Sequence, residues 1–133
     1  MLKKEITYTD FNGNQRTDDY YFNLTKAEVI EWDAEYPDGA IQYFNSLVKN
    51  QNVGKLVKVF KDLILRSYGE KTESGRFLKT QELRDSFMAS EAYSELFLEV
   101  TANEENMAAF INGIVPKVTE NTGNVSPIPA PIG

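Results

Sequence analysis

The chain contains no cysteine and no histidine among its 133 residues. Together these absences remove disulfides, cysteine nucleophiles, thiolate metal sites and any imidazole acting as acid, base or ligand. A cysteine-free chain fits a reducing compartment, and exported chains without cysteine also exist. Long hydrophobic runs are missing as well. No apolar segment reaches the ~18 residues that a membrane helix needs, and MLKKEITYTD has two lysines with no apolar stretch behind them. The expectation is a chain without signal peptide or membrane partner, cytoplasmic where it is made. An excess of basic residues is also lacking: 14 Lys and Arg face 20 Asp and Glu, for a net charge of -6 and a pI near 4.7. This balance argues against sequence-independent binding of nucleic acid, whose affinity comes from cations on phosphates.

What is present is the balance of a soluble globular chain, 41% hydrophobic and 26% charged, with length for one domain and a real core. The charge is unevenly spread. From Lys49 to Arg84 there are nine basic residues against four acidic ones, while acidic residues dominate before and after. One reading is a solvated surface with internal pairing worth under ~1 kcal/mol per exposed pair. The other is charge complementarity between subunits or with a partner, which steers and orients association.

The strongest periodic stretch runs from Val53 to Gly69. Val53, Leu56, Val57, Phe60, Leu63, Ile64 and Tyr68 fall at the spacing of one helix face, with Lys55, Lys58, Lys61 and Arg66 on the other side. Gly69 stands where a helix C′ residue belongs. Val59 and Leu65 do not fit the stripe, so either a second helix covers them or they help form a partner-binding surface.

Residues 3–11 and 15–23 read as a β-hairpin around Asn12-Gly13. Leu2, Ile6, Tyr8, Tyr20 and Phe22 all occupy even positions, and only an odd-length loop, with Gly13 left-handed at a bulge, brings them to one face. Phe11 and Tyr21 are then left on the outer face. Thr25 and Glu28 form a capping box, with Leu24 and Val29 as its hydrophobic staple, for a helix running to about Tyr36 and stopped by Pro37-Asp38-Gly39. Trp32 reads as a core anchor. A second helix covers about Ala40 to Lys49, and Asn52 caps the central one. EKTESGRFLKT reads as a loop with room for a short hairpin at Ser74-Gly75. Thr80, Ser90 and Asn103 cap three further helices, the last closed by Gly113. Residues 117–133, rich in proline and glycine, read as a flexible tail suited to polyproline II. The predicted fold is therefore mainly α, α+β overall. A single domain, 1–116, holds an N-terminal hairpin over 3–23 and a bundle of about five to six helices over 25–116.

No catalytic constellation emerges. Asp18-Asp19, Glu31-Glu35 and Glu91-Glu95 lack the further ligands of a metal site. Ser46 and Lys49 have Ser-x-x-Lys spacing with no supporting motif. The expectation is a non-enzymatic protein with no catalytic, cofactor or metal residues.

YTDFNGNQRTDDYYFNLTKAEVIEW, KVFKDLILRSYGEKTESGRFLKT and SEAYSELFLEVTANEENMAAFINGIVP, taken together, resemble the tail assembly chaperones of long-tailed phages (siphophages) of Gram-positive hosts, over about residues 2 to 116. The resemblance implies a protein present in the host cytoplasm while the tail is built and absent from the finished virion. It implies two partners, the tape measure protein, which it holds in soluble form, and the tail tube protein, which it helps recruit. Self-association is a further candidate. A longer frameshifted product often supplies the tube-binding part in such systems. The off-stripe apolar residues Tyr43, Val59, Leu65 and Leu98 are the candidate partner-binding positions, suited to helix-in-groove recognition. Alternatives from other classes are an acidic DNA mimic that inhibits a host protein, and a structural tail component.

Overall fold

A computed structural model of the chain describes residues 1–116, so the tail expected over 117–133 lies outside the described residues. The element order is β1 (Leu2–Thr9), β2 (Gln15–Phe22), α1 (Lys26–Ala34), α2 (Ala40–Lys49), α3 (Val53–Ser67), β3 (Tyr68–Lys71), β4 (Phe77–Leu78), α4 (Gln81–Met88), α5 (Glu91–Val100) and α6 (Glu104–Ile114). An N-terminal hairpin followed by six helices is the mainly α, α+β class expected. The sheet is larger than one hairpin: β3 and β4 extend it to four strands in the order β1-β2-β3-β4.

The hairpin pairs Leu2 with Phe22 and Thr9 with Gln15, even with even and odd with odd. Such a register needs an odd loop. Gly13 takes φ +84, its amide donates to Asp10 O, and Asp10 N donates to Asn14 O. This is the turn and left-handed bulge that the apolar parity demands. Ile6 and Phe22 are consequently buried, with Leu2, Tyr8 and Tyr20 packed beside them. Phe11 departs from the expectation by lying in the loop itself, 77% exposed, because the strand ends at Thr9. Tyr21 is half-buried, and the Lys71 ammonium sits 4.8 Å from its ring centroid.

Side-chain caps set the starts of five helices. Thr25 makes the full capping box with Glu28. Asn52, Thr80, Ser90 and Asn103 each accept the amide three residues on. Exchanging such a cap for alanine costs about 1 kcal/mol. The first amide of α2 is satisfied from a distance instead, by Asp33 Oδ1 at 2.7 Å from Ala40 N. The turn that brings Asp33 there ends α1 at Ala34, two residues short of the expected Tyr36.

The core lies where α3 meets the sheet and the other helices. Phe60 packs on Phe44 at 5.4 Å and on Phe110 at 6.4 Å between ring centroids, and Phe22 lies 5.6 Å from Phe110. Phe60, Leu63 and Ile64 are fully buried, each worth about 1.5–3 kcal/mol in removed apolar surface. The buried face of α3 is Val59, Phe60, Leu63, Ile64 and Ser67. That face is rotated from the expected stripe: Val53 and Val57 stand 67% and 42% exposed, whereas Val59 is buried at 8%. The stretch is apolar enough to support either phase, and the neighbours decided between them.

Two glycines also play roles other than those expected. Gly69 does follow the C-cap Tyr68, at the C′ position, but without a left-handed φ, and it sits in β3 opposite Tyr21. A Cβ there would lie 2.7 Å from both the Leu78 carbonyl oxygen and the Phe77 ring, so glycine is required by close approach. Gly113 does not close α6, which continues to Ile114. A Cβ on Gly113 would meet Leu2 Cδ1 at 2.9 Å, so the glycine lets the helix settle onto β1.

Candidate partner-binding surface

The exposed side of α3 is its most distinctive surface. Val53 and Val57, one turn apart, share a row, and Lys61 continues it a further turn on. Lys55, Lys58 and Lys61 are exposed and form no ion pair among the described residues. The result is a short apolar row framed by free ammonium groups.

Three other basic residues of the central segment, Arg66, Lys79 and Arg84, are held internally. Arg66 Nη1 lies 2.8 Å from Glu35 Oε2, and Nη2 lies 3.2 Å from Asp62 Oδ2. Burial works against its charge, but Glu35 and Asp62 outweigh it and raise the guanidinium pKa. Arg84 Nε donates to Leu65 O at 3.0 Å. Lys79 Nζ donates to Asn23 O at 2.6 Å and to Glu28 Oε1 at 2.8 Å. Glu28 thereby joins its capping box to the strand-to-helix turn before α4. Burial opposes the Glu28 charge, and the hydrogen bonds from Lys79 and Thr25 overcome it, leaving the carboxyl below its ordinary value. Burial leaves Lys79 lowered despite Glu28. Internal pairing thus accounts for part of the basic charge, while the α3 lysines are left without an internal partner among the described residues.

A second surface has the opposite sign. Between Ala89 and Pro116 there is no Lys or Arg, while Glu91, Glu95 and Glu99 lie on α5 and Glu104 and Glu105 on α6. Among the described residues, only Glu99 of these has a cation, Lys4 of β1. Leu98 stands 66% exposed among these glutamates.

The four sequence-predicted positions are thus not brought together on one face. Leu98 is an exposed residue of α5. Tyr43 of α2 is half-buried and stacked on Tyr36 at 4.7 Å between centroids. Leu65 of α3 is half-buried against the core. Val59 belongs to the core, so any influence on a partner passes through its neighbours. Sequence reasoning missed Val53 and Val57 by assigning them inward.

For chemistry, the surface offers apolar contact and charge. Ser46 is exposed, and its Oγ accepts from Asn50 Nδ2 at 3.4 Å. Among the described residues, no three His, Cys, Asp or Glu side chains form a group that could hold a metal ion, and no helix is long and apolar enough to cross a membrane.

A family model described as phage tail assembly chaperone matches residues 1–124. No curated protein and no solved structure matches the chain.

Proposed function

The chain belongs to the phage tail assembly chaperone family, and from that premise we propose that it keeps the tape measure protein of a Gram-positive siphophage soluble and helps recruit tail tube subunits during tail building. The observation that carries this reading is the match itself, which spans the hairpin and all six helices. The exposed surfaces support it. A long helical client presents amphipathic faces, and such faces are held by apolar anchors set in charged frames. Val53 and Val57 among the α3 lysines, and Leu98 among the α5 glutamates, have that form. Leu98 is the leading contact residue of the predicted set, with Tyr43 and Leu65 contributing their exposed parts. In this reading the chain acts by binding alone, works in the host cytoplasm and is absent from the mature virion.

The test is co-expression with the tape measure protein encoded nearby, followed by size exclusion with light scattering. The expected result is a soluble complex with several copies of this chain per client. Precipitation of the client while this chain elutes alone would refute the solubilising role. Finding the chain in purified virions would instead assign it to the tail structure.

A further inference from the structure

β2 is an incompletely paired strand. Hydrogen-bonded pairs recur at every second residue of an antiparallel ladder. Because Asp10 N bonds Asn14 O, the even residues Arg16, Asp18, Tyr20 and Phe22 turn their backbone groups toward β1. Gln15, Thr17, Asp19, Tyr21 and Asn23 turn theirs the other way. Asn23 N donates to Ser67 O at 2.8 Å, and Tyr21 pairs with Gly69. There the pairing stops: β3 runs on through Glu70 and Lys71, which pair with β4 along its far edge and not with β2. Gln15, Thr17 and Asp19 have no ladder partner on this side among the described residues. An open cleft of about 480 Å³, lined by Arg16, Asp18, Asp19, Tyr21, Glu70 and Lys71 among others, lies along this edge.

We propose that this edge pairs antiparallel with the same edge of a second copy, centred on Thr17. The side chains select that register. A two-fold pairing that opposes more than one edge-facing group on each copy centres on Arg16, Thr17 or Asp18. Centring on Arg16 sets two guanidinium groups against each other, and centring on Asp18 sets two carboxylates. Like charges directly opposite are unfavourable. Centring on Thr17 sets Arg16 opposite Asp18 of the second copy twice, and Gln15 opposite Asp19 twice. Both Arg16 and Asp18 are available for it, with side chains 54% and 37% exposed. Within the chain, Arg16 Nε lies 3.5 Å from Asp18 Oδ2 and Nη1 lies 3.8 Å from Asp10, contacts loose enough for Arg16 to turn to the second copy. Tyr8 OH donates to Asp18 Oδ2 at 2.7 Å and holds that carboxylate in place. The charges that discourage random strand addition at this edge therefore permit one self-complementary pairing. The inference rests on the strand edge and is independent of the client.

The experiment measures mass by light scattering across a concentration series of the full chain at low salt. The wild type is expected to dimerise. Arg16→Asp and Asp18→Arg are each expected to weaken the dimer by more than about tenfold, and the double exchange, Arg16→Asp with Asp18→Arg, to restore it. Thermal denaturation of each variant checks that the fold is kept. Because the chain has no cysteine, a nitroxide on Thr17→Cys reports the register directly, through line broadening between labels close together at the two-fold. A folded wild type that stays monomeric at every concentration, single reversals that leave the dimer intact, or a dimer without broadening would each overturn the proposal. A strand added only when client is present would assign the edge to the client instead.

Discussion

Helices α3 and α5 look alike in sequence: each has an apolar stripe and apolar residues outside it. Their outliers end in opposite places. Of the α3 outliers, Val59 is buried and Leu65 half-buried, whereas Leu98, the outlier of α5, is 66% exposed. The stripe of α5 is compact, with Ala92, Leu96 and Val100 buried and Tyr93 and Phe97 beside them, and Glu91, Glu95 and Glu99 line its flank, so only one phase is open to it. α3 is longer and carries valines on both flanks of Phe60, Leu63 and Ile64, so a rotation that exposes Val53 and Val57 while burying Val59 loses little. An outlier marks a surface only where the stripe admits a single phase.

The comparison is broken most forcefully by charge. Val59→Glu places a carboxylate in the core and is expected to lower stability by about 3 kcal/mol or more, read from urea unfolding. A small loss would return Val59 to the surface. Next in size, Gly69→Ala at the exit of α3 forces a Cβ against Leu78 O and the Phe77 ring, with an expected cost of about 1–3 kcal/mol. Gly113→Ala in α6 meets the Leu2 side chain, closest at its two methyls, which can turn aside, with Cβ at 3.3 Å. The helix propensity it gains, about 1 kcal/mol, offsets that contact, so little net change is expected in the same assay.

Alkaline titration sharpens the contrast at a finer scale. Burial, with Glu70 nearby, pushes the Tyr68 phenol at the end of α3 up to about 12, and burial also raises Tyr93 on α5. A phenol raised on folding contributes stability that is complete below its unfolded value, about 10, and is lost as pH rises toward the folded one. Stability is therefore expected to fall between about pH 10 and 12, with tyrosinate absorbance appearing alongside unfolding. Tyr68→Phe should flatten that decline more than Tyr93→Phe. The smallest stability effect belongs to Leu98→Glu, expected within about 0.5 kcal/mol of wild type, while capture of the tape measure protein drops. Retained capture would remove Leu98 from the contact surface.

Much of the fold was legible because its signals are local. The five caps lie within three residues of the amides they satisfy, and the hairpin loop follows from the parity of five apolar positions. The candidate surface was less legible. Of the four predicted contact residues, Leu98 alone is largely exposed, and Val53 and Val57 were read as core. Exposure depends on what stands opposite a residue, which helical period does not encode. The same holds for Lys79, whose partners Asn23 and Glu28 are more than fifty positions away in sequence.

By itself, the sequence determined element types, helix starts, hairpin register and the charge contrast between the central segment and the C-terminal helices. Each of these follows from backbone geometry or composition within a few residues. Only the tertiary structure decided the rotation of α3, the addition of β3 and β4 to the sheet, and the close approaches that require Gly69 and favour Gly113. Those depend on distances between segments far apart in the chain, where packing of particular shapes selects among arrangements that local preference leaves nearly equal.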